Sequence, residues 1–266
     1  MTITLRPERP SDHRAVELLT REAFWGTEMP RCMEHLLVRR LRESPSFLPE
    51  LDYVAEVDGE VVGNVMWSRA SVVEQGPEGE VVHDVLTFGP LSVLPECQAR
   101  GVGTALMRHT LAEAARLGHR AVVVYGHPDY YPCFGFVRAA DVGITAPGGA
   151  TFDGLMAVAL VPGGLDGIRG EVHEDPVFQV DAAEAEAFDL AEFPPKEPAT
   201  LIPLDVFEGH LPPSALEGLR AAGIPNMQMA RRMSAAEAAK IPGVGTDGAA
   251  ALAAFFRARG IRWGTA

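Results

Sequence analysis

The stretch that most limits how this chain can fold is "QARGVGTALM", Gln98 to Met107. An apolar run, "VLTFGPLSVL", leads into it and an amphipathic pattern, "TALMRHTLAEAARLG", leads out, so it reads as strand, glycine turn and helix. Glycines at 101 and 103 strip side chains from the turn, and Arg100 stands beside them. A Walker loop would need a lysine after its glycines, and none is present. A dinucleotide fingerprint would want a third glycine where Leu106 stands. Two readings remain. One is an ordinary turn that uses glycine for its freedom of φ. The other is an anion cradle, in which first-turn amides and the positive end of the helix dipole face a group such as a pyrophosphate.

The surrounding pattern is mixed α/β. "ITLRP" reads as a short strand, and Ser11 or Asp12 is placed to cap the helix "HRAVELLTREAF". "CMEHLLVRRLRES" reads as a second helix with Met33, Leu36, Leu37 and Leu41 on one face; the loop between the two, "WGTEMP", is where a substrate would meet helices. "LDYVAEVDGEVVGNVMWSR" predicts a hairpin turning at Asp58 and Gly59. A loop, "VEQGPEGE", precedes a long strand from Val81 to Leu94, with a bulge expected at Gly89 and Pro90. After the glycine turn come a helix ending at Gly118, a strand "RAVVVYG", a short helical segment "DYYPCFGF" and a strand "GLMAVALV".

Composition narrows the function classes. The formal net charge is −13, which argues against general nucleic-acid or anionic-membrane binding. No run of about 18 apolar residues occurs, and the charged start "MTITLRPERP" is unlike a signal peptide, so the chain reads as soluble, unexported and cytoplasmic. Cys32, Cys97 and Cys133 are scattered and odd in number, which fits neither a disulfide framework nor a zinc site, and the histidines show no ligand spacing. No metal is expected. Beyond about Val180 the pattern becomes an acidic helical stretch, a proline-rich link "PPKEP" and helical pieces broken by Gly and Pro.

The turn resembles the acetyl-CoA signature Q/R-x-x-G-x-G/A of the GCN5-related N-acetyltransferase (GNAT) family, standing here as Gln98, Ala99, Arg100, Gly101, Val102 and Gly103. A second motif lies at the distance that family expects: in "YGHPDYYPCFGF", Tyr131 stands four residues before Gly135 and Phe136. Together they resemble a bacterial subgroup of predicted acetyltransferases with an H/D-P-x-Y-Y segment. The resemblance covers residues 1–165 and implies a GNAT-type α/β (α+β) fold, a mixed, splayed sheet flanked by helices. It also implies acetyl-CoA as co-substrate, held by Leu91, Ser92 and Val93 of the preceding strand and by Gln98 through Thr104.

The resemblance implies direct transfer of acetyl from the thioester to a primary amine in a ternary complex, the two strands parting so that freed main-chain groups hold the pantetheine arm. The Val93 amide would stabilise the oxyanion, and Tyr131 would protonate the leaving thiolate. A bland alternative gives Tyr131 only a packing role beside Tyr130, Phe134 and Phe136. Where some relatives carry a catalytic glutamate this chain has Thr87, so the base is unassigned; water relayed to His83, Asp84, Glu28 or His127 would serve. Glu28, His83 and His127 are candidates for contact with a small-molecule or peptide amine. Cys133 reads as packing rather than as a covalent nucleophile. The rival function is a non-catalytic acyl-CoA-binding or nucleic-acid-associated module on the same fold.

The remainder divides into an acidic, proline-rich connection, residues 166–204, and a small helical C-terminal extension, residues 205–266. Glu171 to Leu204 holds nine acidic residues against one lysine, whereas Arg220 to Ala266 holds seven basic against two acidic. Ser234 with Glu237 makes a capping box, and Thr246 is placed to cap the next helix. "IPGVGTDGAAAL" resembles a helix-hairpin-helix, in which hairpin amides grip a nucleic-acid phosphate. A single copy on an acidic chain weighs against that use, and in favour of an appendage that shields the acceptor cleft or mediates homo-oligomer formation.

Overall fold

Asp58 and Gly59 adopt φ values of 53° and 85°, the doubly positive turn that a tight two-residue hairpin requires, and join β2 (Tyr53–Val57) to β3 (Glu60–Gly76). The computed structural model that contains this hairpin describes residues 2–27, 29–77, 79–126, 128, 130–261 and 263. It forms two units, Met1–Ala23 with Met33–Pro194, and Phe24–Cys32 with Pro195–Ala266. No helix among the described residues is long and apolar enough to cross a membrane.

In the larger unit β1 (Thr4–Pro7) is followed by the helices α1 (His13–Phe24) and α2 (Glu34–Glu43). After the β2–β3 hairpin come β4 (Gly79–Val93), α3 (Val102–Arg116), β5 (Ala121–Tyr125), β6 (Val137–Arg138), β7 (Ile144–Thr145), β8 (Leu155–Ala159), β9 (Gly170–His173) and α4 (Ala182–Glu192). The sheet runs β1-β2-β3-β4-β5-β8-β6, with β9 joining β3 to β7. Its pairings are antiparallel except β4 with β5 and β7 with β9. This is the mixed α/β sheet flanked by helices that the sequence predicts.

The expected loop over Val73–Glu80 is mostly strand: β3 runs to Gly76, and its Val72 and Val73 pair with both β4 and β9. Charged residues there suggested a loop, but exposed positions on a two-partner strand tolerate charge. The bulge at Gly89 and Pro90 is present, since Val65 faces Leu91 while Trp67 faces Phe88. Asp12 does not cap α1. Its carboxylate accepts from the Arg9 amide and from Arg6, closing a short 3₁₀ turn ahead of the helix.

One core lies between the sheet and α3, with Trp67, Leu86, Phe88, Leu106, Met107 and Val122 among its buried residues. Gly63 sets how closely α3 approaches, because a Cβ there would stand 2.8 Å from Val102 Cγ1. The opposite face buries Val72, Val85, Val123, Ile144, Ile168 and Val172. Several buried charged groups inside this unit are paired. Arg21 holds Asp189 bidentately at 2.5 and 3.1 Å, both nearly sealed from solvent. Arg42 grips Glu8 at 3.0 and 2.6 Å. Glu8 shares a hydrogen bond with buried Asp52, whose other partner is Asn64 Nδ2 at 2.9 Å. Burial, then the neighbouring Glu8, pushes the Asp52 carboxyl up to about 9.

The smaller unit is helical: α5 (Pro213–Ala221), α6 (Met227–Arg232), α7 (Ala235–Lys240) and α8 (Gly245–Ala258) enclose Phe207, Leu219, Leu252 and Phe256. The segment from Phe24 to Cys32, which contains the sequence's "WGTEMP" loop, belongs here. Ala199 N donates to Pro30 O at 2.7 Å and Trp25 Nε1 to Glu197 O at 3.2 Å. Ser234 and Glu237 form the expected capping box. Thr246 does not cap α8, which begins at Gly245 with Val244 before it and no side-chain cap. Two glycines of this stretch pack inward, since a Cβ on Gly243 would meet Ser214 O at 2.6 Å and one on Gly248 Ala215 Cβ at 3.1 Å, whereas one on Gly245 would meet nothing within 4 Å; facing them in α5, a Cβ on Gly218 would meet Pro242 O at 2.4 Å.

Two outcomes are expected. Because the folded Asp52 carboxyl titrates far above its unfolded value, its stabilisation is complete below about pH 4 and is lost as pH rises toward 9. Asp52→Asn keeps both hydrogen bonds without the titration. Its thermal unfolding should therefore show a gain on the order of 1 kcal/mol or more at pH 8 that shrinks toward pH 4. Gly218→Val should destabilise the helical unit by roughly 1–3 kcal/mol through overpacking against Pro242, read by denaturant unfolding.

Candidate active site

The site begins where β4 and β5 part. The two parallel strands are in register at one pair, Leu86 with Val122. Beyond it β4 bulges at Gly89 and Pro90, and proline has no N–H to offer a neighbour. Leu94 N donates to Val62 O at 3.0 Å, so strand alternation turns the main-chain groups of Val93 and Leu91 away from β3, toward the edge β5 has left. Gln98 Nε2 donates to Val93 O at 3.1 Å, tying the turn to the end of that edge. The Ser92 side chain points elsewhere: it is buried, with its Oγ 3.0 Å from Thr20 Oγ1.

At the foot of the parted edge the chain makes a glycine turn into α3. Ala99 and Gly101 both have positive φ, 57° and 87°, with Arg100 exposed between them. Alternation of left- and right-handed residues aims successive amides into one concavity. The first main-chain bond of α3 is Ala105 N to Gly101 O at 2.9 Å. Among the described residues no main-chain carbonyl takes the amides of Val102, Gly103 or Thr104. No side chain caps the helix and its first turn holds no acidic residue. Free amides, a helix dipole and an uncontested N-terminus fit a diphosphate. A Cβ on Gly101 would meet nothing within 4 Å, so that glycine serves its backbone angle and leaves open space above.

The two tyrosines have different positions. The Tyr130 hydroxyl hydrogen-bonds the Thr104 side chain and would stand 3.0 Å from a Cβ on Gly103. Tyr131 is buried among Phe88, Tyr130 and Phe136, with ring centroids 5.5, 5.0 and 5.3 Å away. Its ring lies against Gly126 at the end of β5, where a Cβ would come within 2.2 Å of Tyr131 Cε2. No hydrogen bond to the Tyr131 hydroxyl forms among the described residues. Burial, with Tyr130 adding to it, pushes its ionisation far above the usual phenol range, so at neutral pH the oxygen carries its proton. Cys133 is exposed rather than packed, its thiol donating to Tyr130 O at 3.1 Å.

Of the proposed acceptor contacts, Glu28 and His127 lie outside the described residues. His83 sits on β4 opposite Val72, 3.7 Å from Glu74, which also pairs with Arg169 at 2.7 Å. Asp84 is exposed on the same strand. Thr87 is fully buried and donates to Glu174 Oε1 at 2.9 Å. Sequence reasoning missed Glu174 and Gly126. A glycine ending a strand did offer a signal for the latter; nothing local marks Glu174, which reaches Thr87 from 87 residues along the chain.

Comparison with known proteins agrees with this geometry. A family profile described as an acetyltransferase (GNAT) domain matches residues 50–138. The chain is 36% identical over 113 residues to the uncharacterized N-acetyltransferase YjhQ of Escherichia coli strain K12, a match covering 42% of this chain and 60% of the relative. The chain thus spans about three fifths of the length of that curated relative. Among solved structures, the GNAT family N-acetyltransferase YhbS from Escherichia coli, in complex with CoA, superposes with a TM-score of 0.57 at 28% identity over 66% of this chain and 91% of that one. A GNAT family acetyltransferase from Brucella melitensis, in complex with acetyl-CoA, gives 0.53 at 28% identity over 67% and 99%. Residues 50–138 thus match a GNAT acetyltransferase domain, and the fold of the larger unit resembles that of these two GNAT structures.

Proposed function

We propose that this chain is an acetyl-CoA-dependent N-acyltransferase that moves the acetyl group to a primary amine, a small molecule or a peptide, by direct attack in a ternary complex. The observation that carries the reading is the continuity of the parted β4 edge with the uncapped start of α3. An extended arm laid along Leu91, Ser92 and Val93 would end with its diphosphate over Arg100, Gly101, Val102, Gly103 and Thr104. Gln98 and Ala99 shape the turn between them. The CoA and acetyl-CoA carried by the YhbS and Brucella proteins support this choice of donor.

The protein's own groups would then divide the work. The Val93 N–H, turned to the open edge, donates to the thioester oxygen as negative charge develops there. Holding nitrogen and carbonyl carbon together removes the entropy cost of their encounter. The C–N bond forms as the C–S bond breaks, and the departing sulfur takes its proton from the Tyr131 hydroxyl, which a solvent-exchangeable proton from nitrogen replaces. Tyr130, committed to Thr104, supports the cradle instead.

Calorimetric titration of the full chain with CoA tests the donor site. Saturable binding is expected, and Gly103→Val should weaken it about tenfold or more, roughly 1.4 kcal/mol; unchanged affinity at that position would move the diphosphate elsewhere. Tyr131→Phe should lower kcat by about 10²-fold while leaving the Kd for CoA within about twofold. Equal turnover of the two proteins in a thiol-release assay over a panel of primary amines would leave Tyr131 with packing alone.

A further inference from the structure

A primary amine, with a reference pKa of about 10.4, arrives as an ammonium ion and must lose a proton before its nitrogen can attack. From the position and tethering of its carboxylate, we infer that Glu174 binds the ammonium group of the acceptor and takes that proton; the assignment rests on the acyl-transfer reading above.

The strand register puts Glu174 at the parting of the strands. His173 faces Ser71 across β9 and β3, so Glu174 follows on the face that carries Val72, Val85 and Val172. On the same face Thr87, one residue past the last β4–β5 pair, donates to Glu174 Oε1 at 2.9 Å. Ser68 is the register partner of Thr87, and its buried hydroxyl has no hydrogen-bond partner among the described residues. Thr87 and Glu174 therefore meet, with Ser68 on the same face by register, in an otherwise apolar layer. On the other side of the gap Tyr125, the last residue of β5, lies within electrostatic reach of Glu174. Its exposed ring stacks on exposed Phe152, with centroids 5.9 Å apart. A carboxylate beside an open aromatic pair suits a cationic amine with an apolar body.

Both flanks of Glu174 are fixed. β9 is zipped to β3 over Ser71–Val73, with Gly170 at φ 121° where a Cβ would stand 2.1 Å from Val73 O. On the other flank Asp175 accepts from Ser44 Oγ at 2.9 Å and from Val177 N at 2.8 Å. The Thr87 bond uses one oxygen, leaving the carboxylate further lone pairs for a ligand. Burial raises Glu174's affinity for protons, with the Thr87 bond partly offsetting it. The other ionisable groups on the surrounding strands are Glu60, Arg69 and Glu74 on β3, Glu80, His83 and Asp84 on β4, Tyr125 on β5, and Glu171 and His173 on β9, with Asp175 next in the chain. In Asp175, burial opposes ionisation and the bonds from Val177, Ser44 and Ser46 outweigh it, so it stays anionic. Protons balance as follows: nitrogen gives one to Glu174, which releases it to solvent, and a second replaces the proton that Tyr131 passes to sulfur.

The test uses the full chain, with tyramine and a lysine-containing peptide as acceptor probes. Glu174→Gln should lower kcat/KM for the amine by about 10²-fold or more at pH 7 and erase the limb that rises with pH through the carboxyl's own titration, while acetyl-CoA binds as in the parent. Glu174→Asp should restore part of the rate. Independently of turnover, carboxyl ¹³C NMR, with Glu174 assigned by its loss in Glu174→Gln, should show titration above the ordinary glutamate value of about 4.3 and a further rise in Thr87→Val. An unchanged pH profile in Glu174→Gln, or a carboxyl titrating at or below the ordinary value, overturns the assignment. Failure of the parent to bind acetyl-CoA would instead overturn the donor site, so the two failures are distinct.

Discussion

The separation of β4 from β5 after the Leu86–Val122 pair is the constraint on which the larger unit depends. Two parallel strands with free choice would pair along their length, because unpaired main-chain groups are costly when buried. Here continued pairing is blocked from both sides. β4 meets its bulge, with a proline that cannot donate, and β5 ends at Tyr125, just before Gly126 packs against the Tyr131 ring. The freed edge leads directly into the turn at Ala99–Gly101 and the uncapped start of α3. Leu91, Val93, Gly101 and Gly103 are thus consequences of one local divergence.

A second layer of organisation is ionic. Helices α1, α2 and α4 meet through ion pairs: Arg21 with Asp189 out of water, exposed Arg39 with buried Glu17, and at the solvent-facing margin Arg40 with Glu184. His35 lies 3.4 Å from Asp189 and is fully buried; burial, more than the carboxylate beside it, sets its ionisation and lowers it to about 4, so it packs as a neutral ring between Phe188 and Phe193. Buried pairs contribute little net stability against an apolar alternative, but removing one partner strands the other. Such contacts fix which helix faces which.

Local features were legible in the sequence because their causes are local. The Asp58–Gly59 turn, the bulge at Gly89–Pro90, the glycine cradle and the Ser234–Glu237 capping box follow from backbone freedom or from groups three residues apart. Nothing in the spacing of Tyr130 and Tyr131 tells the two apart; their surroundings do, Tyr130 reaching Thr104 while Tyr131 is buried among aromatic rings. Long-range features were hidden. The expected loop over residues 73–80 hid the end of a strand that gains a second partner from β9 at Ser71–Val73, and the Thr87–Glu174 bond joins distant segments. Two glycines of "IPGVGTDG" show the opposite hazard, since in the fold Gly243 and Gly248 are needed for close packing against α5, while Gly245 faces open space.

β3 runs for 17 residues, while β2 covers its outer edge only as far as Val65. Past that point the edge is shielded by an isolated bridge from Phe47 to Ser68 and then by β9 at Ser71–Val73. A long strand with a bare edge is a template for pairing with other molecules and for aggregation. β9 therefore acts as a stopper against polymerisation, and a chain cut short before Gly170 would carry an adhesive border along β3.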